Sequence, residues 1–246
     1  MEFSWESHYK EGGASTGTLI PIDLTSDYAW RYGILQKYAG VVDDVVDVGC
    51  GDLLFWNGRD CCTYTGIDIS QSIIEKNRSN RPSWVFHAAS ADVRLPVSGN
   101  IALCFDMLFR ILSDMIYEKI LENLGYYSKR WIFIYTWCEN PWNSWQSRIL
   151  GAMVRLKKGR IHDAWTMLIQ GMNTDGVYQK YRDFRNYVHI LEKAGFYLIG
   201  IERPPNNPAG MYIFRKNNPV EPQISQWFSI GTGILPIQIG WDMGSM

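Results

Sequence analysis

The stretch "VVDVGCGD" at residues 45–52 limits the possible folds more than any other. Val45, Val46 and Val48 surround a single Asp47, and the run passes straight into Gly49-Cys50-Gly51. This reads as a buried strand whose exit needs backbone without a Cβ. Four more apolar runs follow, at 63–70, 83–90, 100–109 and 130–137. The last two are almost continuously apolar, as strands covered on both faces are. Helix-like stretches lie between them. In "SQSIIEKNRSN" (70–80), Ser72 and Glu75 have capping-box spacing. In "SDMIYEKILENL" (113–124), Ile116, Ile120 and Leu124 share a face behind Ser113 as a cap. Strand–helix alternation predicts right-handed crossovers and a parallel α/β sheet.

The later chain changes pattern. Residues 181–196 read as a helix with Phe184, Tyr187, Val188 and Leu191 on one face and Gly195 as its stop. Two strands follow at 197–202 and 211–216. Their link, 203–210, is too short for a crossover helix, which predicts an antiparallel pair. Residues 138–178 form a long excursion after the fifth strand, and 217–246 form a tail. The resulting division is a lead-in and cap helix (1–40), a core (41–137), a helical insertion (138–178), the end of the sheet (179–216) and the tail.

Bulk composition narrows the function classes. Apolar residues make up 46% of 246, enough for a sizeable core, and the net charge is −1. No global field therefore draws in nucleic acid or an acidic membrane, and no DNA partner is expected. The five cysteines show neither CxxC pairing nor a histidine cluster, which predicts no metal site and a reducing, cytoplasmic setting. No signal-peptide core and no 18-residue apolar run are present, so no transmembrane segment is expected.

Gly-x-Gly after a parallel strand lets a ligand approach the backbone, and amides beyond it can donate to a polar group. The third glycine of a dinucleotide loop is missing, because position 54 is Leu54. Asp68 stands 17 residues after Gly51 at the end of the second strand, beside the loop. An acid there can accept both hydroxyls of a ribose, or it can cap the next helix. Asp47, inside the first strand, can hold the loop through a nearby amide or ammonium.

"DVGCGD" followed by "GIDIS" resembles the class I S-adenosylmethionine-dependent methyltransferases. The resemblance implies a doubly wound, mainly parallel seven-stranded sheet with a final antiparallel strand. It implies S-adenosyl-L-methionine as cofactor. By position, Asp47, Gly49 and Gly51 would line the methionyl site, with Cys50 contributing backbone. Asp68 would take the ribose and Ile69 would flank the adenine. Ser90 or Asp92 would serve the adenine amino group. Asp106, Met107 and Leu108 would lie beside the sulfonium. Arg110 stands where the family often has histidine. Asn57-Gly58 signals that the helix after the loop is cut short, with Phe55 and Trp56 packing in its place. Residues 4–20 resemble an aromatic-plus-glycine lead-in of small methyltransferases, in which Trp5, Tyr9 and residues 12–17 would close the site.

Acceptor groups should come from the carboxyl ends of the strands, the lead-in and the 138–178 excursion. That excursion carries Trp142, Trp145 and Trp165, three methionines, and the basic run Arg155, Lys157, Lys158 and Arg160. It reads as a lid or as a small helical subdomain with its own core. His162 and Glu139 are the candidate acceptor bases, whereas His87 and His189 read as structural. The leading reading is O- or N-methylation of a small-molecule or saccharide-type acceptor. An RNA or protein methyltransferase and a non-catalytic cofactor-binding subunit are the alternatives, the apolar tail serving the last as a docking segment. The sequence leaves the oligomeric state open.

Overall fold

The structure is a computed structural model that describes residues 4–11, 25–61, 63–174, 179–205 and 207–217. Seven strands form one sheet: β1 (Val45–Val48), β2 (Tyr64–Asp68), β3 (Val85–Ala88), β4 (Gly99–Phe105), β5 (Ser128–Trp137), β6 (Phe196–Glu202) and β7 (Ala209–Lys216). Their order is β3-β2-β1-β4-β5-β7-β6. Strands β1 to β5 pair in parallel, and β7 runs antiparallel to both β5 and β6. The antiparallel strand thus lies inside the sheet, between β5 and β6. Strand order reverses at β1, which has β2 on one side and β4 on the other. Open parallel sheets bind ligands beyond the strand ends at such a reversal.

Alternation along the strands separates two cores. Val45, Ile101 and Leu103 point into one, together with Leu35 of α2 (Thr25–Ala39) and Ile74 of α3 (Gln71–Asn80). Val46, Ala102 and Cys104 point into the other, with Ile120 and Leu124 of α4 (Asp114–Tyr127) and Leu191 of α7 (Val188–Lys193). Helices cover both faces, as the alternation predicts. Ser113 caps α4 by accepting from the Ile116 amide at 3.4 Å.

Two local readings are corrected. The cap of α3 is Ser70, which accepts from the Ile73 amide at 3.4 Å; Ser72 is not the cap. The cause is Asp68, which takes the Ser70 amide at 3.0 Å and fixes the chain there, two residues before Ser72. The late helix is also shorter than 181–196. The Asp183 carboxylate accepts from the Arg185 amide at 3.1 Å and starts a 3-10 turn over Phe184–Tyr187, and only Val188–Lys193 is α-helical. Gly195, at φ +83°, closes the segment as expected.

A third reading holds. In place of a helix after β1 there is one 3-10 turn, Leu54–Trp56. Phe55 and Trp56 are buried in the space a longer helix would fill. Trp56 packs edge-on to Tyr64 and Trp84, whose rings stack at 4.2 Å. The 138–178 excursion holds two helices, α5 (Trp145–Lys157) and α6 (Ile161–Gln170), with a small core of Ala152, Ala164 and Met167. The tail expected to be a docking segment lies outside the described residues.

Candidate active site

At the carboxyl end of β1 the chain turns through Gly49 at φ +78° and Gly51 at φ +53°. Both lie in the left-handed region, which glycine enters at no steric cost. At Gly49 space matters as well, since a Cβ there would sit 2.9 Å from the Met107 sulfur. The loop amides, however, are already committed. Gly49 and Cys50 both donate to the Ile67 carbonyl, at 2.7 and 3.1 Å. The Gly51 amide donates to Asp68 Oδ2 at 3.0 Å. These three amides tie the loop to β2, so its first contribution to a ligand is close approach.

Asp68 is nearly buried. Its other oxygen accepts the Ser70 amide at 3.0 Å. Burial raises its pKa, while the Ser70 and Gly51 amides oppose that rise. Each carboxylate oxygen has accepted one of these bonds and keeps acceptor capacity toward the cavity. The helix-cap alternative for Asp68 is excluded, because Ser70 caps α3.

Asp47 has partners that the sequence reading did not name. The Trp56 indole N–H and the Tyr64 hydroxyl both donate to its Oδ2 at 2.9 Å, where an amide or ammonium was expected. The indole belongs to the 3-10 turn after the loop, so Asp47 does hold the loop. Burial drives its pKa up to about 6 against these two bonds.

A cavity of about 450 Å³ opens over this end of the sheet. That suits a small-molecule site. Asp47, Gly49, Cys50, Asp68, Ile69 and Ser90 line it, as do Asp106 and Met107. Three sequence candidates do not. Gly51 faces Asp68 and, through its carbonyl, the Asn77 amide at 2.7 Å. Asp92 holds the Ser90 hydroxyl from behind. Leu108 is fully buried in the second core.

Trp5 and Tyr9 of α1 (Trp5–Lys10) form part of the wall, as the lead-in resemblance implied. Glu6 anchors this helix, taking the Ser70 hydroxyl at 2.6 Å and the Ser72 amide at 3.2 Å. The Ser70 bond, then Lys10, hold its pKa down to about 2. Arg110 stacks over the Trp5 ring at 4.7 Å. Residues 12–17, expected to complete the closure, lie outside the described residues.

The largest omission from the sequence reading is Arg31. This buried guanidinium reaches Asp106 at 2.5 Å and Asp27 at 2.5 Å and lies 3.6 Å from the Tyr135 ring centre. Asp106 itself sits at φ +56°. Asp27 and Arg31 are spaced i, i+4 on α2, a readable helical pair, but nothing local says that it meets β4.

Neither candidate base reaches the cavity. Glu139 is exposed and bonded to Arg203 at 2.7 Å, which lowers its pKa. His162 is exposed on α6. Among the described residues no histidine lines the cavity and no cluster of three His, Cys, Asp or Glu side chains could hold a metal. Among them, too, no helix is long and apolar enough to cross a membrane.

No protein-family model and no curated protein matches the chain. Solved structures do. Magnesium protoporphyrin IX methyltransferase from Synechocystis PCC 6803, with bound SAH, aligns at TM-score 0.51 and 15% identity, over 79% of this chain and 81% of that one. The N-methyltransferase NodS from Bradyrhizobium japonicum WM9, with S-adenosyl-l-homocysteine, aligns at 0.56 and 10%, over 87% and 98%. This is the class I methyltransferase fold. A Rhodobacter sphaeroides chain labelled a Zn-dependent alcohol dehydrogenase aligns as well, at 0.57 and 10%, over 87% and 94%. At such identities the likeness speaks to the fold, and a reading of the reaction rests on the residues of the site.

Proposed function

We propose that the protein is an S-adenosylmethionine-dependent methyltransferase acting on a small-molecule or saccharide-type acceptor at oxygen or nitrogen. The observation that carries this is Asp68: a buried carboxylate at the end of β2, locked to the glycine loop and facing a cavity of about 450 Å³. Its remaining acceptor capacity suits a vicinal diol such as a ribose. Ile69 and Ser90 beside it suit an adenine. At the other end Asp106 and Arg31 present opposite charges together, which suits the zwitterionic amino-acid end of the cofactor.

When bound, the cofactor supplies an activated methyl group on a sulfonium. The chain's own residues bind, orient and exclude water. Trp5, Tyr9 and Arg110 close the open side, and Gly49 admits the ligand to the backbone. Burial raises the pKa of Tyr9 well above the phenol range, so it makes a poor base at neutral pH. Tyr9 is thereby set aside as a base, and the reading gives the chain's main part to alignment of the acceptor. None of the described residues of the 138–178 excursion lines the cavity; it adjoins the site through Trp142, which packs edge-on against Trp137 of β5, itself stacked on Phe109 at 4.5 Å next to Arg110.

Calorimetry with S-adenosylmethionine or its demethylated product should show one site per chain. Asp68→Ala should weaken binding by about 1.5–3 kcal/mol, the range for hydrogen bonds involving a charged group. Undiminished binding by that variant removes Asp68 from the ribose site, and tight NADH binding sinks the whole reading. Transfer of labelled methyl groups into low-molecular-weight extracts separates an enzyme from a cofactor-binding subunit.

A further inference from the structure

Helices α5 and α6 have their amphipathic faces reversed. On α5, Trp145, Leu150, Met153 and Leu156 are exposed, Trp145 at 67%. On α6, Ile161, Trp165 and Ile169 recur every fourth residue and are exposed at 72%, 65% and 57%. The seam between the helices holds small residues, Gly151, Ala152 and Ala164, around Met167. Polar side chains face inward too. Arg155 donates to the Gly151 carbonyl at 3.0 Å and to the Met172 sulfur, and Arg148 reaches the Ile169 carbonyl at 3.2 Å. A helix pair that packs only against its own domain would place the bulky apolar residues inside. An apolar surface of this extent marks an interaction face.

We propose that the α5–α6 pair docks this protein on the surface of an anionic phospholipid bilayer. Charge is the first argument. Residues 145–170 carry five Arg or Lys against one acid, Asp163, in a chain of net charge −1. Lys157 ends α5 and Lys158 follows it into the turn, both exposed, and Asp163 is already paired to Arg160 at 2.5 Å. Exposed Trp, Ile and Leu with adjacent Lys match the acyl–headgroup boundary, with cations toward the anionic headgroups and indoles at that level.

Two other occupants fit less well. A second copy seated through this face would bring two such basic segments into one interface, with no uncommitted acid on α5 or α6 to offset them. The chain's own tail leaves β7 at Lys216, next to Phe196. The insertion leaves β5 at Trp137, opposite Ala209 at the other end of β7. The tail thus starts at the opposite end of the strands from the insertion. The docking is independent of the methyl-transfer reading and can fail separately from it.

The test is co-sedimentation of the full chain with vesicles at low ionic strength, of phosphatidylcholine alone or mixed equally with phosphatidylglycerol. Sedimentation should occur with the mixed vesicles and fall away in high salt. Lys157→Ala with Lys158→Ala should weaken it about 30-fold, since each cation near an anionic surface contributes about 1 kcal/mol. Trp165→Ser should weaken it at least about tenfold, while the urea unfolding midpoint stays almost unchanged and shows the variant folded. No sedimentation of the wild-type chain, or equal sedimentation with both vesicles, overturns the proposal. So does a lipid-free dimer that Trp165→Ser makes monomeric. Carbodiimide cross-links from Lys157 or Lys158 to Glu221 or Asp242, without vesicle binding, would assign the face to the tail.

Discussion

The glycine-loop end of the sheet and the α5–α6 pair solve opposite problems. Around the loop, buried polar groups are matched one by one: Asp47 to an indole and a phenol, Asp68 to two amides, the Gly51 carbonyl to Asn77. In α5–α6 the polar groups also point inward, yet the apolar bulk points out. Burial of a polar group is costly without a partner, so the first region fixes one conformation. The second buries few large side chains and leaves its apolar surface for something else. The difference teaches that apolar content alone does not tell which residues form the core.

The largest expected effect lies in the first region. Trp56 is fully buried, fills the place of the missing helix and donates to Asp47. Trp56→Ala should cost about 3–5 kcal/mol in urea unfolding, the range for removing a large aromatic from a core. A cost under about 1 kcal/mol would show that the aromatic block does not replace the helix.

A somewhat smaller effect separates charge from packing at the same place. The folded pKa of Asp47 is raised to about 6 by burial, against about 3.9 unfolded. Between those values the folded state binds more protons than the unfolded state, so stability falls as pH rises. Through Asp47 alone the protein should lose about 2 kcal/mol between pH 4 and pH 6. Asp47→Asn keeps an oxygen for both donors and should remove that slope. An unchanged slope in the variant would assign the pH dependence to another group.

Legibility followed locality. The strands, the antiparallel pair and the shortened turn could be read because each rests on residues close in sequence, and the place of Asp68 because the strand pattern puts it at the end of β2. Asp47's partners could not, since a phenol 17 residues away reaches it only through β1–β2 pairing. Arg31 was missed because its Asp106 partner lies 75 residues on. The glycine loop was expected to offer close approach, and the commitment of its own amides to Ile67 and Asp68 could not be read, because it follows from register with β2. The composition of α5–α6 was visible, whereas its orientation was not, because a helical repeat gives a face and never says which way it points.

The smallest expected effect sharpens the contrast most. Ile161 and Trp165 are large apolar residues, as Trp56 is, yet they lie mostly in solvent. Exposed positions away from caps and networks tolerate substitution within about 0.5 kcal/mol. Ile161→Ser and Trp165→Ser should therefore leave the urea midpoint of the isolated chain almost where it was. Burial on folding, rather than residue type, sets the cost, because only area removed from water contributes. A loss of 2 kcal/mol or more at either position would mean that the side chain is covered in the folded monomer, and the reversed-face description of α5–α6 would fail with it.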